Sequence, residues 1–78
     1  MNELKLLLAD KERIIYSYQP NGNSGAGEVM YDFRTGEAVT TKVAPDDEDG
    51  YYSHKACKKL DECVKKNNLP IKFVQAWY

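Results

Sequence analysis

Between Tyr51 and Asn67 the side chains sort into two groups. With each residue advancing about 100° around a helix axis, Tyr52, Ser53, Ala56, Cys57, Leu60, Cys63, Val64 and Asn67 fall on one side. His54, Lys55, Lys58, Lys59, Asp61, Glu62, Lys65 and Lys66 fall on the other. Such a separation predicts an amphipathic helix that lays one stripe on a core and turns its charges to water. The pairs Asp61 with Lys65 and Glu62 with Lys66 have the favourable acid-first order for ion pairs one turn apart, each worth about 0.2–0.5 kcal/mol. Asn67 and Asn68 tolerate a left-handed cap, and Pro70 disfavours a helical residue before it, so the helix stops there.

Elsewhere the apolar residues alternate, as they do in strands. Arg13 to Gln19 puts Ile14, Tyr16 and Tyr18 on one face; Glu28 to Phe33 does the same with Val29, Tyr31 and Phe33; Ala38 to Val43 with Val39, Thr41 and Val43. Asp32 to Glu37 reads as a hairpin turn, because Gly36 can take the left-handed conformation after a type I turn and Asp32 can bond the turn backbone. Leu4 to Ala9 fits two templates. Leu4, Leu6 and Leu8 alternate like a strand, whereas Leu4, Leu7 and Leu8 have helical spacing; we favour the strand, followed by a turn at Asp10, Lys11 and Glu12. Ile71 to Tyr78 predicts a last strand with Ile71, Phe73 and Trp77 on one face and Val74, Ala76 and Tyr78 on the other. A strand apolar on both faces is expected to be central or covered rather than a solvated edge.

These elements define an α+β domain spanning residues 1–78: a four- or five-stranded antiparallel sheet with one amphipathic helix on one face, in the order β-β-β-β-α-β. Pro20 to Gly27 has the composition of a mobile loop, and Pro45 to Gly50 reads as a solvated acidic connector.

Charge narrows the functional classes. The formal net charge is -1, which gives no bulk attraction to polyphosphate or to an anionic membrane. Met1 to Arg13 is too short and too charged for a signal-peptide core or a membrane span. Cys57 and Cys63, on one rigid helix, are expected to be free thiols, and a cytoplasmic location is the expectation that follows.

The candidate chemistry thins out on inspection. His54, Cys57 and Asp61 could meet along one flank of the helix, yet a solvated flank supplies neither a lowered thiol pKa nor an oxyanion site. Zinc needs four ligands at recognisable spacing, and the single histidine and two cysteines point to different sides of one helix. Asp46-Asp47-Glu48-Asp49-Gly50 invites comparison with a calcium loop. With Gly50 at the loop's sixth position, Pro45 stands where the first aspartate belongs and Ala56 where the closing glutamate belongs. Gly22, Gly25 and Gly27 lead into a strand instead of opening a helix, so they make no phosphate cradle. No cofactor, metal or small-molecule substrate is expected, and the chain reads as non-enzymatic.

Two binding readings remain. Lys55, Lys58, Lys59, Lys65 and Lys66, with Tyr16, Tyr18, Tyr31 and Phe33 as stacking platforms, make the case for a nucleic-acid accessory module; Asp61 and Glu62 interrupt that basic face, and the aromatics are natural partners for the helix stripe. The favoured reading is geometric. One helix covers one face of the sheet, while Ile15, Met30, Val74, Ala76 and Tyr78 lean toward the other. An uncovered apolar face marks a protein-binding surface, for a second copy in a homodimer or for another protein, with Ile15, Met30, Val74 and Tyr78 as its candidate residues. A strand edge is the other element such a module can use.

The segment Tyr51 to Tyr78, with Ala56-Cys57-Lys58-Lys59-Leu60 running into Leu69-Pro70-Ile71 and Trp77-Tyr78, resembles short uncharacterised proteins carried by clostridial mobile elements. The likeness covers the last third of the chain and carries no diagnostic motif and no residue role.

Overall fold

Burial alternates strictly along Arg13–Pro20, where Ile14, Tyr16, Tyr18 and Pro20 are buried and the residues between them only partly so. This is the middle strand of the computed structural model, which describes residues 1–20 and 25–75. In chain order the elements are β1 (Asn2–Ala9), β2 (Arg13–Pro20), β3 (Gly27–Asp32), β4 (Glu37–Lys42), α1 (Tyr51–Lys65) and β5 (Lys72–Gln75). The strands form one antiparallel sheet in the order β4-β3-β2-β1-β5. Helix α1 lies on one face, against β3, β4, β2 and β1.

The core is the layer between helix and sheet. Leu4, Ile14, Tyr16, Tyr18 and Val29 from the sheet meet Ala56 and Leu60 from α1, with Leu6, Tyr52, Val64 and Phe73 packed around them. Burying a side chain of this size contributes about 1.5–3 kcal/mol, so the few large residues in the layer carry most of the stability. Of the expected stripe, Ser53, Ala56, Leu60 and Cys63 are buried and Tyr52, Cys57 and Val64 half-buried, whereas Asn67 lies beyond the helix and is exposed.

The C-terminal end of α1 follows from local chemistry. At the C-terminus Asn67 takes φ 53, its N–H donates to Val64 O at 3.0 Å and the Asn68 N–H donates to Cys63 O at 2.9 Å. Those two bonds and the left-handed residue are the Schellman cap, which satisfies carbonyls that have no partner further along the helix. Asp61 pairs with Lys65 at 2.8 Å as the spacing predicts, whereas Glu62 reaches back to Lys59 at 3.6 Å.

The turns are equally local. Asp10 Oδ1 accepts the N–H groups of Arg13 and Glu12 at 2.9 and 2.8 Å, and these bonds hold its carboxyl below the usual aspartate pKa. At the β3–β4 turn the Gly36 N–H donates to Asp32 O at 2.8 Å, Arg34 N–H donates to Asp32 Oδ1 at 2.8 Å, and Gly36 has φ 73.

Four expectations need correction. The last strand is an edge, neither central nor covered by a further strand: β5 adds to β1, beyond which no strand lies among the described residues. Successive hairpins β1–β2, β2–β3 and β3–β4 already occupy the interior positions, so a later strand can join only at β1 or β4. Ile71, 78% exposed, precedes β5 rather than sharing its inner face with Phe73. Second, Leu4, Leu6 and Leu8 do not share a face. Leu6 stands opposite Tyr16 and Leu8 opposite Ile15, so a bulge at Leu7 turns Leu8 away from the helix. Third, β3 ends at Asp32, one residue before the expected Phe33. Phe33 sits in the turn, edge-on to Tyr31 with ring centroids 5.2 Å apart. Fourth, the connector from Pro45 to Gly50 is not wholly solvated, because Asp47 is 1% exposed. Within the predicted loop Pro20 to Gly27, Pro20 ends β2 and Gly27 begins β3, while 21–24 fall outside the described residues.

Candidate functional site

The face of the sheet turned away from α1 can be read row by row from the strand register. Val39 stands opposite Met30, Met30 opposite Ile15, and Ile15 opposite Leu8, so one apolar row crosses β4, β3, β2 and β1 without a break. Leu8, Ile15 and Met30 are half-buried and Val39 is 43% exposed. Leu7, the extra residue of the bulge, adds a side chain 54% exposed beside Leu8.

Charged rows flank that stripe. On one side Glu37 faces Asp32 and Asp32 faces Arg13, with Asp10 bonded to Arg13 at the adjoining turn. On the other, Lys42, Glu28, Ser17, Lys5 and Lys72 follow one another across all five strands. Beyond these lie Gln19, Glu3 and Val74. Glu3 draws Lys5 and Lys72 to 3.8 and 3.6 Å, and Arg34 lies 3.6 Å from Asp32.

This arrangement decides how the candidate residues group. Ile15 and Met30 are direct cross-strand neighbours at the centre of the row. Val74 shares the face but sits opposite Glu3, with the lysine row between it and the stripe, and it is 53% exposed. Tyr78 and Ala76 lie outside the described residues. Leu7, Leu8 and Val39 complete the stripe. Sequence reasoning missed Leu8 because alternation without a bulge assigns it to the Leu4 and Leu6 face.

The acidic connector has a structural task. Asp47 Oδ1 accepts the Tyr52 N–H and Oδ2 the Ser53 N–H, both at 2.8 Å, and the Tyr18 hydroxyl donates to Oδ2 at 2.9 Å. The same hydroxyl accepts the Ala44 N–H at 2.9 Å. Asp47 thus caps α1 from three residues before Gly50, whose φ of 75 bends the chain into the helix. Burial, more than the adjoining Asp47, holds the Tyr18 phenol above its ordinary pKa. Among the described residues no group of three or more His, Cys, Asp or Glu has the geometry to hold a metal ion.

On the helix flank, His54, Cys57, Asp61 and Lys65 border an open groove with Glu37 and Ala38. Burial pushes the Cys57 thiol up, against the Thr40 hydroxyl 3.6 Å from its sulfur. Burial raises Cys63 too, and both cysteines are free. A thiol shifted upward is a poorer source of thiolate, the reverse of what nucleophilic catalysis requires.

Comparison with family models, curated proteins and solved structures finds no match to this chain. What fold and surface define together is a class: an α+β domain whose five-stranded antiparallel sheet carries one helix on one face and, on the other, an apolar row bordered by charge. Among the described residues no helix is long and apolar enough to cross a membrane.

Proposed function

We propose that the chain is a non-enzymatic protein-binding module whose contact surface is the sheet face opposite α1, centred on Ile15 and Met30. The observation that carries this reading is the unbroken row Leu8, Ile15, Met30, Val39, bordered on both sides by charged rows. Protein interfaces have that layout, an apolar centre that excludes water and a polar rim that sets register. Val74 then belongs to the rim. The lysine face of α1 offers less support for nucleic-acid binding, because Lys59 and Lys65 are each paired with an acid of the same helix. The free thiols accord with a cytoplasmic site of action.

Photo-crosslinking tests the surface. A benzophenone side chain at Ile15 is expected to give adducts in cells that the same group at Lys58, on the helix's outer face, does not. Adducts from Lys58 alone, or none from Ile15, would overturn the assignment.

A further inference from the structure

We infer that the occupant of this face is a second copy of the chain, related by a two-fold axis that runs along the apolar row, across the strands. The inference rests on the sheet-face reading and adds the partner and the geometry.

An isologous contact must be self-complementary, and two in-plane axes keep the strands of two stacked sheets aligned. An axis parallel to the strands keeps each row against its own copy. With that axis over β2, Lys42 of one copy faces Lys72 of the other and Asp32 faces Asp10, against one favourable pair, Glu28 with Lys5; with it between β3 and β2, Lys42 faces Lys5 and Glu37 faces Asp10, against Asp32 with Arg13. Like-charge meetings outnumber opposite ones in both positions, an arrangement that interfaces avoid. An axis along the apolar row exchanges the two flanking rows instead. Val39, Met30, Ile15 and Leu8 each meet their own copy; Glu37 comes over Lys42, and Asp10 over Lys5, because each pair lies on one strand or at its end and on opposite sides of the stripe. Asp32 over Glu28 is the like-charge meeting in this arrangement, and Arg34 beside Asp32 offsets it.

Five strands at about 4.8 Å and six residues at about 3.3 Å give a face of roughly 480 Å² per copy. Two copies bury about 1,000 Å² before corrugation, the low end for specific interfaces. A weak dimer, formed at micromolar to millimolar concentration, is the expected species.

Sedimentation equilibrium of the full chain tests this with charge swaps. Glu37→Lys and Lys42→Glu are each expected to weaken the dimer by about tenfold, and the double variant, which restores opposite charges across the axis, to recover most of the loss. Ile15→Lys should abolish the dimer. A chain monomeric at millimolar concentration, a dimer indifferent to Ile15→Lys, or a double variant no tighter than the weaker single one would each overturn the proposal. The Ile15 adducts separate the two readings: adducts to a different protein with a monomeric chain remove only the second copy, whereas no adducts remove the binding face as well.

Discussion

The hydroxyl of Tyr18, on the middle strand of the sheet, donates to Oδ2 of Asp47 at 2.9 Å, and the two N–H groups that Asp47 accepts belong to the first turn of α1. One carboxyl therefore ties the helix N-terminus to the centre of the sheet. The acid that looked like part of a calcium loop spends both its oxygens on the protein's own donors.

Removing either partner should cost stability. Tyr18→Phe leaves the buried Ala44 N–H without its acceptor, for an expected loss of about 1–3 kcal/mol. Asp47→Ala strips two helix N–H groups and the Tyr18 hydroxyl, for a loss of at least about 2 kcal/mol. Urea unfolding checks both, and the double variant should lose less than the sum because the two residues share one bond.

Two glycines should lose stability to different degrees in the same test. A Cβ at Gly27 would stand 2.4 Å from Tyr18 Cε1 and 2.5 Å from Lys42 O, so Gly27→Ala must displace backbone as well as a packed ring. Its expected cost is at least about 2 kcal/mol. At Gly36 nothing lies within 4 Å and only the φ of +73 opposes a side chain, so Gly36→Ala should cost about 1 kcal/mol. Thermal or urea unfolding of the pair checks the order.

Tyr16 supplies a pH dependence. Its hydroxyl donates to Pro70 O, and burial, with a smaller effect from Cys63, pushes the phenol from 10.0 up to about 12. A raised acid pKa favours the protonated folded state. Stability from this group is intact below the unfolded pKa and is lost as pH rises from about 10 toward about 12, where the unfolded phenol ionises first. Phenolate absorbance should show late-titrating tyrosines, one fewer of them in Tyr16→Phe, together with unfolding that steepens over that interval.

Much of this architecture was legible because it is written in local periods. The stripe of α1, its Asn67 cap and the Asp32–Gly36 turn each depend on residues a few positions apart. What stayed hidden is long-range or depends on one inserted residue. The bulge at Leu7 reverses the sense of Leu8, and nothing in the run Leu6-Leu7-Leu8 distinguishes the extra residue. Asp47 looked solvated among Asp46, Glu48 and Asp49; its burial depends on Tyr18, 29 positions away. The edge position of β5 depends on which places earlier hairpins had filled. Ile15 and Met30 were found from alternation alone, but the row they belong to needed the register of four strands.

Met30 and Met1 report whether the face opposite α1 is covered when the protein works. Met1 is 66% exposed and serves as an internal reference, whereas Met30 lies in the middle of the apolar row. Hydroxyl-radical oxidation of the two methionines should be compared in dilute purified protein and in intact cells. The ratio of Met30 to Met1 oxidation should fall severalfold in the cell, and an unchanged ratio would mean that the face stays bare.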